Sequence, residues 1–171
     1  MNNSTLDLIK DIIDTRMHMP AGRVFAYNGT QDLPQDNNLF IVLSFMDADT
    51  YANIRRYKAT AGGGLEEVVT VNAAEDILIS LISRSTEART KRYAVVRALN
   101  SSYSQYIQEK YRFHISTTNP VMDRSFLEAT SRLNRFDIQI RVIRTYEDKD
   151  DVDYYDKFPN TSKFEPNWLN D

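Results

Sequence analysis

The N-terminal part of the chain has the hydrophobic spacing of a helix. Between residues 4 and 17, apolar side chains recur every three or four positions, which is the pattern of an amphipathic helix. They are Leu6, Ile9, Ile13 and Met17. Asn3 or Ser4 can cap the start of this helix, and Pro20 and Gly22 follow its end. We therefore expect a helix over residues 4–17.

Strand-forming patterns follow this helix. The predicted strands are 23–27, 39–46, 51–60, 67–71 and 76–83. Segment 39–46 has the sequence LFIVLSFM, which is apolar on both faces and therefore predicts a central, buried strand. Gly62, Gly63 and Gly64 separate the third strand from the fourth, and a glycine-rich break between two strands predicts the tip of a hairpin.

A second helical pattern follows the strands. It runs as one long helix from a cap at Ser85 to about Tyr111. The stripe expected to face the sheet consists of Ala88, Val95, Leu99, Ser102 and Tyr106. Residues 115–120 are expected to be extended or a loop, and residues 122–130 a turn or short helix.

Residues 135–146 have the clearest strand pattern in the chain. The side chains predicted to face the core are Phe136, Ile138, Ile140 and Val142. They alternate with Asp137, Gln139, Arg141 and Ile143, which are expected to face water. The fold class predicted from all these elements is α+β. A mostly antiparallel sheet is packed by one long helix and an N-terminal helix, and an extended C-terminal arm follows.

The last 25 residues differ from the rest in charge and aromatic content. Residues 147–171 contain eight acidic and three basic residues, a net charge of −5, whereas the whole chain carries −3, so residues 1–146 carry +2. A purely solvating tail would be poor in aromatics. This one contains Tyr154, Tyr155, Phe158, Phe164 and Trp168. We expect a single domain over residues 1–146 and an arm over 147–171 that is loose in the free subunit and docks elsewhere.

Composition excludes several classes of chemistry. The chain has 171 residues, 42% of them hydrophobic, and no cysteine, so disulfides, thiolate metal sites and cysteine nucleophiles are excluded. A net charge of −3 does not suggest a dedicated nucleic-acid binder. No apolar run is long enough to span a bilayer and no signal peptide is visible, so neither a membrane nor a secretory route is expected.

Candidate sites for chemistry fail on their context. His18 and His114 lack any metal-binding spacing and are expected at a helix end or on the surface. The glycines lead into an acidic, strand-like segment instead of a helix, so they do not form a phosphate loop. The acidic run that begins at Asp148 lacks the glycine and the closing glutamate of a calcium loop. The basic run of the second helix is expected to be a solvated face. No catalytic residue, metal site or cofactor is predicted, and the chain is not expected to be an enzyme.

The order of elements resembles a known group of virion proteins. Three stretches support the resemblance: 38–44 (NLFIVLS), the tyrosine-rich 91–111, and 133–140 (LNRFDIQI). Over about residues 4–158 the chain is similar to the neck or tail-terminator proteins of contractile-tailed bacteriophages. The resemblance implies a structural protein of the virion, made in the host cytoplasm, that forms a six-fold ring on the tail tube. Its partners would be the tail tube, the tail sheath and the head-side connector, and DNA could be contacted only through the ring lumen.

Two segments are the predicted assembly contacts of such a ring, because they can extend toward a neighbouring subunit. Their residues are Gly62, Gly63, Gly64, Asp150, Asp151, Tyr154, Tyr155 and Phe158. Other functions remain open at this point. The chain could be another tail-completion or baseplate-side protein, a monomeric binding or inhibitor module that uses its acidic tail, or an enzyme of unrecognised type.

Overall fold

A computed structural model describes residues 4–27, 29, 34–60, 64–128 and 131–152. It divides the chain into two compact units. Unit 1 comprises Met1–Asn53 and Val71–Tyr146, and unit 2 comprises Ile54–Thr70 and Glu147–Asp171. The sequence-based division at residues 146 and 147 stays a prediction, and 147–171 share their unit with residues 54–70.

Three helices and seven strands occur among the described residues. The helices are α1 (Thr5–Met17), α2 (Glu87–Leu99) and α3 (Ser102–Tyr111). The strands are β1 (Val24–Ala26), β2 (Phe40–Ala59), β3 (Leu65–Ser83), β4 (Phe113–Thr118), β5 (Met122–Asp123), β6 (Phe126–Glu128) and β7 (Ser131–Val152). Strands β2, β3 and β7 contribute residues to both units.

The predicted N-terminal helix is confirmed. Ser4 caps α1, and its side-chain oxygen accepts a hydrogen bond from the Asp7 N–H at 3.1 Å. The helix ends at His18, which adopts a left-handed conformation with φ 51° and donates its N–H to the Asp14 carbonyl. Its buried face consists of Thr5, Leu8, Ile9, Ile12 and Ile13.

The predicted single long helix is wrong, because two helices occupy its place. The break lies at Asn100 and Ser101, whose side chains bond to backbone carbonyls of the preceding turn. Ser101 then adopts an extended conformation and accepts a hydrogen bond from the Ser104 N–H, which caps the start of α3. The break changes the phase of the helical face. Ser102 and Tyr106, predicted to face the sheet, are exposed, and Ser104 and Ile107 are buried instead.

The α+β class and the mostly antiparallel sheet are confirmed. The seven strands form a mixed sheet with the order β1-β2-β3-β7-β4, and β5 and β6 pair with β7. Strand β1 is parallel to β2, whereas β4, β5 and β6 are antiparallel to β7. Apart from residues 39 and 60, the predicted strands 39–46 and 51–60 are parts of β2, and 67–71 and 76–83 are parts of β3.

The segment after α3 is more strand-like than predicted. Strand β4 begins at Phe113, before the segment predicted as extended or loop. The turn or short helix predicted over residues 122–130 is wrong for residues 122–128, since β5 and β6 lie there, and residues 129 and 130 lie outside the described residues. Both strands are short and hydrogen-bond to β7, so they depend on a partner that local propensity does not reveal.

The core of unit 1 consists of two apolar clusters. The larger combines residues of all three helices with strand residues, including Ile41, Leu43 and Ile77. The smaller contains only strand residues, Phe40, Val42 and Ile82, with Phe25 and Leu133 packed against it. Neighbouring β2 residues therefore alternate between the clusters, as they must in a strand.

The predicted core face of β7 is confirmed, since Phe136, Ile138, Ile140 and Val142 are all buried. The prediction that its other face is exposed to water is wrong, since Gln139, Arg141 and Ile143 are half-buried. Asp137 is buried, where its carboxylate accepts hydrogen bonds from Ser80 at 2.7 Å and from Arg135 at 2.9 Å. A buried carboxylate requires such partners.

Candidate assembly surfaces

His18 and His114 are both exposed, one at the end of α1 and the other on β4. Within the described ranges, no three histidine, aspartate or glutamate side chains are grouped so that they could hold a metal ion. None of the helices in the described part of the chain has the length and apolar character needed to cross a membrane.

A polar network in unit 1 lines a cavity of about 300 Å³ beside the start of α1. The Tyr146 hydroxyl donates to Glu75, and burial together with this carboxylate raises the pKa of the tyrosine above its ordinary value. Arg144 donates to Thr5 at 3.2 Å and lies over the Tyr146 ring at 5.0 Å. These contacts join polar side chains of β3, β7 and the start of α1.

The part of β2 beyond Leu43 is exposed in unit 1. Residues 45–51 and 53 are all exposed, and Ala52 is half-buried. The large apolar side chains in this segment are Phe45 (53% exposed), Met46 (52%) and Tyr51 (57%). The prediction that 39–46 is a central, buried strand therefore holds only as far as Leu43. A strand that exposes aromatic side chains over such a length is typical of a surface that another molecule covers.

Unit 2 contains a three-stranded layer, which we define as residues 54–59 of β2, 65–70 of β3 and 147–152 of β7. Among its residues with described side chains, only Val68 is buried. Ile54 and Tyr57 are exposed, the latter to 55%. Small sheets with so little buried apolar surface are marginally stable on their own. Covering this exposed surface would therefore stabilise the layer.

The predicted hairpin between β2 and β3 is confirmed where it is described. The two strands are neighbours in the sheet. Their connection is closed by the Thr60 N–H, which donates to the Gly64 carbonyl at 2.9 Å. The Gly64 N–H donates in turn to the Thr60 hydroxyl at 3.0 Å. A Cβ atom at Gly64 would lie 3.1 Å from this hydroxyl, so a larger residue there would require the Thr60 side chain to shift by a few tenths of an ångström. Gly62 and Gly63 lie outside the described residues.

The predicted contacts of the C-terminal arm are only partly described. Asp150 and Asp151 are exposed and belong to β7, which continues to Val152. Tyr154, Tyr155 and Phe158 lie outside the described residues. Phe45, Met46, Tyr51 and Tyr57 were not predicted as surface contacts. Segment 39–46 was expected to be buried, and segment 51–60 was predicted only as a strand.

Comparisons with known proteins do not assign the chain to a family. Neither the models of protein families nor the curated protein sequences give a match.

Proposed function

We propose that this chain is a structural virion protein that works by assembly and not by catalysis. Its role would be that of a tail terminator or neck subunit, which forms a ring, caps the tail tube and sheath, and joins them to the head-side connector. The observation that carries the proposal is the long exposed part of β2, where three large apolar side chains of unit 1 are more than half exposed.

The magnitude of this exposure favours an assembly. A large apolar side chain buries about 200 Å² when fully covered, so Phe45, Met46 and Tyr51 together leave roughly 300 Å² accessible. At about 25 cal/mol per Å², covering them contributes at most about 8 kcal/mol. Association of two proteins costs about 4–15 kcal/mol in lost freedom. A single contact would therefore be weak, whereas a closed ring gives every copy two contacts and stabilises all of them together.

The resemblance to neck and tail-terminator proteins supports the same reading. A subunit of this kind needs no cofactor, and its partners would be further copies of itself, the tail tube, the tail sheath and the head-side connector. The exposed part of β2 and the unit 2 layer are the elements available for these contacts.

Binding to tail tubes tests the proposed role. Purified protein would be mixed with tail tubes that lack their terminator, sedimented, and imaged by negative-stain electron microscopy. We expect the protein to sediment with the tubes and to form a ring at one tube end. A protein that stays in the supernatant as a monomer would contradict the proposal. Bovine serum albumin in place of the chain controls for trapping in the pellet.

A further inference from the structure

The outer strands of the unit 2 layer carry opposite charges. Strand β3 lies between β2 and β7 in the sheet, so the segments 54–59 and 147–152 are the two outer strands. We call them the basic edge and the acidic edge. The basic edge contains three cations and no acid, namely Arg55, Arg56 and Lys58. The acidic edge contains one cation, Lys149, and four acids, namely Glu147, Asp148, Asp150 and Asp151.

Ion pairs within the layer neutralise only part of these charges. Arg55 pairs with Glu67 at 2.6 Å, and Lys149 pairs with Glu66 at 3.7 Å. Both glutamates belong to the central strand β3. Five exposed charges then have no ionic partner within the described part of the chain. They are Arg56 and Lys58 on the basic edge, and Asp148, Asp150 and Asp151 on the acidic edge. Each edge therefore presents charge of one sign to the solvent.

The backbone of both edges also lacks a neighbouring strand on its outer side, as far as the described strands show. Strand β1 pairs with β2 only at residues 41–43. The pairing of β4 with β7 ends at Arg144, and β5 and β6 pair with earlier residues of β7. An unpaired strand edge can accept a strand from another chain, because its N–H and C=O groups are still available.

We propose that the basic edge of one copy pairs with the acidic edge of the next, so that the layer continues from subunit to subunit. This inference rests on the proposed function, since a ring requires contacts that join two different surfaces of the same chain. The partner is a second copy because both halves of the complementary pair occur on one chain, on opposite outer strands. Their charges attract across the boundary, and the exposed backbone groups supply strand-to-strand hydrogen bonds.

The basic and acidic side chains lie on different edges, and this separation distinguishes the proposed pairing from simple protection of the edges against aggregation. Charged side chains on a strand edge often prevent aggregation, and either sign serves that purpose. Here, two basic edges or two acidic edges repel each other, and only the mixed pair attracts. The charges therefore disfavour a two-fold dimer through identical edges and favour head-to-tail closure.

Charge reversal tests the pairing, with association followed by sedimentation velocity. R56E/K58E makes both edges acidic, and D150K/D151K makes both edges basic. For each variant alone we expect association to weaken at least about tenfold, because exposed attractive pairs become repulsive. An equimolar mixture of the two variants should assemble, since each now complements the other. The chain with all four substitutions should assemble alone, because its two edges have exchanged signs.

A matched control uses R89E/R97E on α2, which reverses two exposed arginines that have no ionic partner among the described residues. This variant should associate like the wild type. Circular dichroism checks that each variant folds. If R56E/K58E does not fold, the neutral R56Q/K58Q replaces it and must associate more weakly and with less dependence on salt.

The outcomes separate this inference from the proposed function. If R56E/K58E and D150K/D151K each form rings as the wild type does, the edge pairing is overturned and the proposed ring function is not. A wild-type chain that associates neither alone nor on tail tubes would overturn both. Rescue by mixing, together with self-assembly of the fourfold variant, would support the edge pairing.

Discussion

Tyr57 offers a quantitative test of whether the unit 2 layer is covered in an assembly. The side chain is 55% exposed on an outer strand of the layer. A tyrosine buries about 200 Å² when fully covered, so about 110 Å² remains accessible. At about 25 cal/mol per Å², covering it contributes up to about 2.7 kcal/mol. Tyr57→Thr removes most of this contribution while keeping a residue that favours strands.

We expect Tyr57→Thr to raise the dissociation constant of the assembly by about tenfold to eightyfold, since 1.4 kcal/mol corresponds to a factor of ten. Sedimentation equilibrium over a range of protein concentrations measures this constant. The free energy of unfolding of the dissociated chain should change by less than about 1 kcal/mol, because the lost contact lies between subunits.

Tyr106→Thr is the matched control. Tyr106 is 56% exposed on α3, so it has the same residue type and nearly the same exposure but lies on a helix. Threonine and tyrosine have similar helix propensities, so the substitution leaves α3 intact. Its dissociation constant should equal that of the wild type. If the two substitutions weaken association equally, or if neither does, the layer is not the covered surface.

Three further predictions concern the fold. Ile138 is fully buried, so Ile138→Ala should lower the free energy of unfolding in urea by about 2–5 kcal/mol, and a loss below about 1 kcal/mol would contradict its place in the core. Ser101 caps α3 through the Ser104 N–H, so Ser101→Ala should cost about 1 kcal/mol in the same assay, whereas an unchanged value would argue against the helix break. Arg23 holds the pKa of Asp36 below its ordinary value through a direct ion pair. The stabilisation of the folded chain by this pair is therefore complete above about pH 4 and is lost as the pH falls through the lowered pKa. In an NMR titration, Arg23→Gln should raise this pKa, and no change would rule out the pair.

The sequence was sufficient to predict helices and strands that bury one face. Of the predicted helical stripe, Ile9 and Ile13 are buried, and Leu6 and Met17 are partly buried against the core. The alternating residues Phe136, Ile138, Ile140 and Val142 are all buried. The glycine-rich break between β2 and β3 marks their hairpin correctly, because the closing Thr60–Gly64 contact is local. Such features depend on neighbouring residues, which a single sequence contains.

The sequence was insufficient to predict elements whose structure depends on pairing with residues distant along the chain. Asp47 and Asp49 resemble a break between two strands, yet both lie within β2, where they are exposed. Strand β6 exists because it pairs with β7, which local propensity does not indicate. The polar pair Asn100 and Ser101 could have indicated the break between α2 and α3, since both side chains compete for backbone hydrogen bonds.

The candidate surfaces were only partly predictable for a related reason. Hydrophobic residues of a strand are ordinarily assigned to a core, and exposure can be read only from the fold. The exposure of Tyr51 and Tyr57 was therefore not predicted. Asp150 and Asp151 were named because an acidic run is visible in the sequence, and their role in assembly stays a prediction.

The mass of the assembled protein tests the central claim most directly. Native mass spectrometry of the wild-type chain, with and without tail tubes lacking their terminator, reports how many copies associate. The account predicts a closed species at six times the 19.8 kDa subunit mass, formed in solution or on the tube end. A species that remains at 19.8 kDa under both conditions would contradict it.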